Sequence, residues 1–272
     1  MNEDEANDKL CELRSSASSQ DEKMAVMIAM SLVGGFFSHA SKKESESNLI
    51  IETLRPFLNN CIIAPTKDTK YEWMTYRLVP TVGADTVMIP DFVLWVEPHA
   101  NRNFEVFFVE VKKQGNFANG HLESDLVKLG KEMQLGLNKL LKRKVENPEV
   151  VGLLLEGGQA TAYKMDLLYN GQYRMVELSR FFLTRDNVDD VMLVPTIMEK
   201  LCQLQRIIQN TIDKLYQAIQ EPSSQVGITS YMRSMYGSPV AVKCAKRNKI
   251  KAFFYHNSVT GIKFTFPIVM RI

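Results

Sequence analysis

The sequence predicts an α/β protein: a central mixed sheet flanked by helices. Three observations predict it. Hydrophobic periodicity gives the order helix, strand, strand, strand, helix, strand over about residues 46–155. The run Phe104–Val109 is apolar on both faces of a period-two strand, apart from Glu105, as a strand covered on both sides must be. Between that strand and a second apolar run, Val150–Leu155, the segment Leu122–Lys144 repeats Leu122, Leu126, Leu129, Met133, Leu137 and Leu140 at helical steps.

The elements follow in order. Residues 1–22 are polar, and residues 1–23 hold seven acids against three bases, which predicts a mobile acidic tail. Met24–His39 reads as a short helix or a buried arm. Glu46–Asn59 reads as a helix with Ile51, Leu54 and Leu58 on one stripe. Tyr71–Val79 mixes aromatic and β-branched residues and reads as a strand. Val87–Val96 and Phe104–Lys112 are firmer strands around a turn-rich connection, Glu97–Asn103. Gln114–His121 is a loop by its Gly115, Asn116, Asn119 and Gly120. In the helix beyond it, Lys128, Lys131, Lys139 and Lys142 fall outside the apolar stripe.

Thr161–Leu168 and Tyr173–Leu178 flank Asn170-Gly171, a strong hairpin signal. A long helix runs from Pro195, a favourable first helical position, to Gln220. Its stripe, Leu193 through Ile219, has two explanations: packing on the core or on the partner in a homodimer. Residues 223–272 are Ser-, Tyr- and Lys-rich. Their basic cluster at 243–251, followed by Phe253, Phe254 and Tyr255, suits a nucleic-acid backbone, nuclear import or a plain basic loop. Lys251–Tyr255 and Ile262–Val269 are candidates to pair. The expected organisation is thus an acidic tail (1–22), a core (23–188), a long helix (189–222) and a basic C-terminal segment (223–272).

Composition excludes several classes. The formal net charge is +2, so no global field demands an anionic partner. The four cysteines are dispersed, which lacks zinc-site spacing and fits a reducing compartment. The longest apolar stretch, Met24–Phe37, is too short to span a bilayer. An acidic N-terminus argues against secretory and mitochondrial leaders. The expectation is a soluble intracellular protein, nuclear or cytoplasmic, with no membrane contact.

The chemistry-bearing residues are Pro90-Asp91 and Glu110-Val111-Lys112, each inside an apolar strand. Glu110 and Lys112 are two apart and so share a strand face. A turn at 97–103 would set Asp91 beside Glu110, because hairpin arms lie about 5 Å apart. Two carboxylates so close repel unless a cation sits between them. Mg²⁺ or Mn²⁺, hard ions that prefer oxygen, would suit Asp91 and Glu110. A Glu110–Lys112 salt bridge would satisfy the same charges without a metal. Lys128, Lys131 and Gln134 could reach a phosphate of DNA or RNA, or Lys128 and Lys131 could form a solvated basic face.

The order αβββαβ with those two motifs resembles the PD-(D/E)XK phosphodiesterase superfamily, whose core is that of restriction endonucleases, from about Glu46 to Leu155. The chain is also similar to a group of uncharacterised multicopy fungal proteins with this core. That likeness extends to DLVKLGKEM (125–133) and YKMDLLYNGQYRMVELSRFFL (163–183). The resemblance implies a restriction-endonuclease-like core with a C-terminal helical extension. It implies a Mg²⁺-dependent nuclease in which the Val111 carbonyl joins Asp91 and Glu110 as a ligand. A metal-activated water would attack the phosphodiester and Lys112 would orient it. Glu46 matches the acid that the superfamily often adds from the first helix. The alternative is a degenerate module that keeps the fold and only binds nucleic acid or protein.

Overall fold

Chain order is also spatial order in the sheet. The computed structural model describes residues 2–37, 45–78, 87–113, 125–168, 171–184, 188–221 and 232. The helices among them are α1 (Glu3–Ser16), α2 (Gln20–Phe37), α3 (Glu46–Asn48), α4 (Arg55–Leu58), α5 (Asp125–Lys142) and α6 (Val194–Gln220). The strands are β1 (Thr69–Trp73), β2 (Phe92–His99), β3 (Arg102–Lys112), β4 (Val150–Glu156), β5 (Gln159–Leu168) and β6 (Gln172–Phe182), in one six-stranded sheet ordered β1-β2-β3-β4-β5-β6. Only β3 and β4 are parallel, and α5 is the crossover such a pair requires. The protein is therefore α/β with a mixed sheet.

The two faces are covered by different helices. Glycine shows which strand residues face α5. A Cβ on Gly152 would sit 2.5 Å from Met133 Sδ, and one on Gly136 would sit 2.7 Å from the Glu105 carbonyl and 3.1 Å from the Phe108 ring. Phe108, Glu110 and Lys112 thus face α5 by strand alternation. Phe107, Val109, Leu153 and Leu155 face the other way and are fully buried. On that side α6 packs against β3 and β4, with α2, α4 and the helical stretch Asn59–Ile63. A β-bulge between Leu94 and Trp95 sets Glu105, not Val106, opposite Trp95. The extra residue brings Glu105 round to the α5 face as well.

Several expectations need correcting. Residues 3–16 are helical rather than an irregular tail. The Glu5 amide donates to Asn2 Oδ1 at 2.8 Å and the Asn2 amide to Glu5 Oε2 at 3.0 Å, a capping box that starts α1, which packs on α2. The helix expected at Glu46–Asn59 runs on to Ile63 through π-helical stretches at Leu49–Leu54 and Asn59–Ile63. The Arg55 amide donates to Ile50, and Pro56 has no amide to offer, so the wider turn rotates the buried stripe. Ile51 is left exposed, while Ile50, Leu54, Phe57, Leu58, Cys61 and Ile62 are buried.

Met74, at φ 56°, ends β1 early, and β2 begins only after Pro90, which lacks the amide a ladder needs. At its other end β2 runs to His99 and β3 starts at Arg102, so the expected long connection shrinks to Ala100-Asn101, with Asn101 at φ 63°. The hairpin at Gly171 forms as expected, Leu168 opposite Gln172. The α6 stripe of Ile197, Leu201, Leu204, Ile208, Ile212 and Leu215 is buried within the chain, so it is not a free dimer face. Cys61 and Cys202, far apart in sequence, meet between the π-helical stretch Asn59–Ile63 and α6 as free thiols. No helix among the described residues is long and apolar enough to cross a membrane. His39, Val79, the loop from Gln114 to His121, Asn170 and the basic cluster at 243–251 with Phe253–Tyr255 lie outside the described residues.

Candidate functional site

Asp91 and Glu110 do come together. Phe92 pairs with Val109, so the ladder sets Asp91, one residue before β2, beside Glu110. The Val111 amide donates to Asp91 Oδ2 at 2.7 Å and fixes that carboxylate. Glu110 is buried on the face toward α5. There Lys128, from the first turn of α5, places its Nζ 2.7 Å from Glu110 Oε1 and 2.8 Å from Oε2. The Oε1 contact is an ion pair without hydrogen-bond alignment. The same ammonium donates to the Ile89 carbonyl at 2.9 Å. One helical turn on, Glu132 has 0% exposure, and its Oε1 lies 3.9 Å from Lys128 Nζ. Glu46, at the start of α3, accepts from the Lys113 amide at 3.3 Å.

Lys112 shares the face of Glu110 but does not bridge to it. Its Nζ lies 3.6 Å from Asp125 Oδ1 at the start of α5. Among the described residues, five acids (Glu46, Asp91, Glu110, Asp125 and Glu132) therefore gather at this end of β3, and Lys112 and Lys128 form ion pairs among them.

That crowding governs protonation. Burial pushes Glu110 up to about 7 against the pull of Lys128, and the Asp91 charge pushes the same way. Burial, then the neighbouring Glu110, raises Glu132 well above the ordinary carboxylate range. Burial also raises Asp91, opposed by the Val111 amide and Lys128 and reinforced by Glu46 and Asp125. Burial disfavours the Lys128 ammonium, yet Glu110, Glu132 and Asp91 together hold its pKa above the usual lysine range. Glu132 has no protein donor on either buried oxygen. In its protonated form it can itself donate to Glu110.

Would these residues suit a divalent cation? Among the described residues, no group of three or more His, Cys, Asp or Glu side chains is placed to hold an ion. The donor chemistry fits in kind. Every acid is a hard oxygen donor, and the buried Glu132 oxygens lack a hydrogen-bond donor, which a proton or a cation would offset. Asp91 and Glu110 are the two carboxylates at its centre.

The remaining expected residues are placed differently. Val111 contributes its amide to Asp91. Lys128 is inside the cluster, not on a solvated basic face. Lys131 and Gln134 are buried, with 8% and 2% exposure, because α5 is wrapped on more than its apolar stripe. Glu132 was missed. Its only signal was an acid four residues after Lys128, between stripe residues Leu129 and Met133.

Comparison with protein-family models, curated proteins and solved structures yields no match to this chain. The fold and the cluster together define an α/β protein with a buried, acid-rich site at the end of β3.

Proposed function

We propose that this chain is a Mg²⁺- or Mn²⁺-dependent nuclease on a restriction-endonuclease-like core, acting on DNA or RNA inside the cell, in the nucleus or cytoplasm. One observation carries the reading. Among the described residues, five acids crowd the end of β3 around the ammonium groups of Lys112 and Lys128, and a bound cation would make such a site approachable by a phosphate. The order helix, three strands, helix, strand, with acids at the start of β2 and the end of β3, supports the same fold assignment.

Asp91 and Glu110 would hold the ion, which when bound supplies an activated water and neutralises charge at phosphorus. The chain's own residues do the rest. The Val111 amide holds Asp91 in one orientation. Asp125 keeps Lys112 at the rim, within reach of a developing phosphorane charge, where an oriented ammonium counts most. Glu132 keeps a proton against Glu110 and lowers their mutual repulsion.

A second reading rests on a specific contact. Lys128 already caps Glu110, as in a degenerate module that keeps the fold to bind nucleic acid or protein. A nuclease assay decides between them: single- and double-stranded DNA and RNA, Mg²⁺ or Mn²⁺, wild type beside Asp91→Ala and Lys112→Ala. Cation-dependent cleavage lost in both variants supports the enzyme. Cleavage equal in all three comes from elsewhere, and no cleavage on any substrate favours the degenerate module.

A further inference from the structure

We propose that Lys128 is an exchangeable internal counter-ion: it holds the acid site shut in the cation-free protein and must swing out for a divalent cation to enter. The inference rests on the cation-site reading above and adds a regulatory contact to it. Three observations support it. First, the ammonium makes close contacts of 2.7 and 2.8 Å to the two Glu110 oxygens and fastens to the Ile89 carbonyl at 2.9 Å. It thereby fills the ground that a cation shared by Asp91 and Glu110 would need. Second, the one ammonium serves two neighbouring carboxylates, Asp91 and Glu110, with a third acid behind them. Glu132, fully buried one turn along, lies 3.9 Å from that ammonium with both oxygens lacking donors. A divalent ion would compensate this cluster better than an ammonium. Third, Lys128 has somewhere to go. Its side chain is 30% exposed, whereas that of Glu110 is 3% exposed. A lysine stem of four carbons can turn its head to water while staying packed, so the ammonium is the removable member of the pair.

The exchange links folding to the ion. Without a cation, Lys128 is the counter-charge that lets Glu110 be buried. With one, Lys128 is released toward the rim and adds a positive charge where a phosphodiester would approach. The site then turns from acid-rich to phosphate-accepting in one step.

The test compares the full-length wild type with Lys128→Met, which keeps the stem and removes the charge. Mn²⁺ binding is read by electron paramagnetic resonance and stability by thermal unfolding. The expected result is about tenfold tighter Mn²⁺ binding by the variant, corresponding to about 1.4 kcal/mol. Its cation-free melting temperature falls, and saturating Mn²⁺ restores it. A second measurement needs no variant: acetylation of Lys128 in the wild type, followed by mass spectrometry, should quicken several-fold when Mn²⁺ is added. Equal affinity in wild type and variant, or Lys128 labelling that Mn²⁺ leaves unchanged, overturns the exchange while leaving the cation site intact. Absence of Mn²⁺ binding in both proteins overturns the cation site and the exchange together.

Discussion

Strand β3 carries two buried glutamates on the face toward α5, and α5 lays a lysine on each. The two ends nevertheless differ. At the Glu105 end one acid has two partners: Tyr76 donates to Glu105 Oε1 at 2.5 Å, Lys139 forms an ion pair with the same oxygen, and Asn103 donates to the Tyr76 hydroxyl at 3.0 Å, while Oε2 is buried without a donor. Burial, then the Glu105 charge, pushes the Tyr76 hydroxyl far up, so it remains a donor. No second acid is brought to that carboxylate by these contacts. At the Glu110 end one lysine serves Glu110, and Glu132, Asp91 and Glu46 crowd in behind it. One strand, one helix and the same pairing chemistry thus give a staple at one end and an acid-rich site at the other. What separates the two ends is the number of acids gathered at each, since a buried carboxylate by itself is common to both.

The contrast can be broken at its staple first. Lys139→Met leaves Glu105 buried with a hydroxyl as its remaining partner, and removing one member of a buried pair costs about 3 kcal/mol. Urea unfolding should show that loss, with Mn²⁺ affinity unchanged. The next effect is in pH. The Glu110 carboxyl rises from an ordinary 4.5 to about 7 in the folded chain. In that window the folded state keeps a proton that the unfolded state releases, so stability falls as pH rises from about 5 to 8, by roughly 2–3 kcal/mol. Glu110→Gln should flatten the slope over that window, measured by denaturant unfolding at each pH.

Packing gives a smaller test. Gly136→Ala presses a methyl against the Glu105 carbonyl at 2.7 Å and should cost about 2 kcal/mol in thermal unfolding, as overpacking does. Gly152→Ala meets the more adaptable Met133 side chain and should cost less. Smallest is Glu132→Gln, which replaces a protonated carboxyl by an amide of nearly the same volume. The amide can still donate to Glu110, so the cation-free stability should change by no more than about 1 kcal/mol in denaturant unfolding.

Much of this was legible in the sequence. Period-two and period-3.6 patterns located the strands and α5, and the offset of two between Glu110 and Lys112 set them on one face. Asp91 beside Glu110 followed from a hairpin, even though the turn proved shorter than expected. The rest depended on packing that no local pattern carries. Lys128 stayed open between a phosphate contact and a solvated face because the stripe rule assigns one buried face, and α5 is buried on more than one. Glu105 stood out as a polar exception, yet its turn toward Lys139 needs a bulge that leaves no residue signature. Ile51 looked buried because a regular helix was assumed where Pro56 follows a π-helical stretch. Glu132 had no signal beyond its spacing from Lys128, and its importance appears only when three elements meet.

The measurement that tests the central claim most directly is a Mn²⁺ titration of the wild type, Asp91→Asn, Glu110→Gln and Glu105→Gln, each shown to be folded. The account predicts one saturable site in the wild type, retained in Glu105→Gln and lost in Asp91→Asn and Glu110→Gln. Binding that survives both Asp91→Asn and Glu110→Gln, or that vanishes with Glu105→Gln alone, would contradict it.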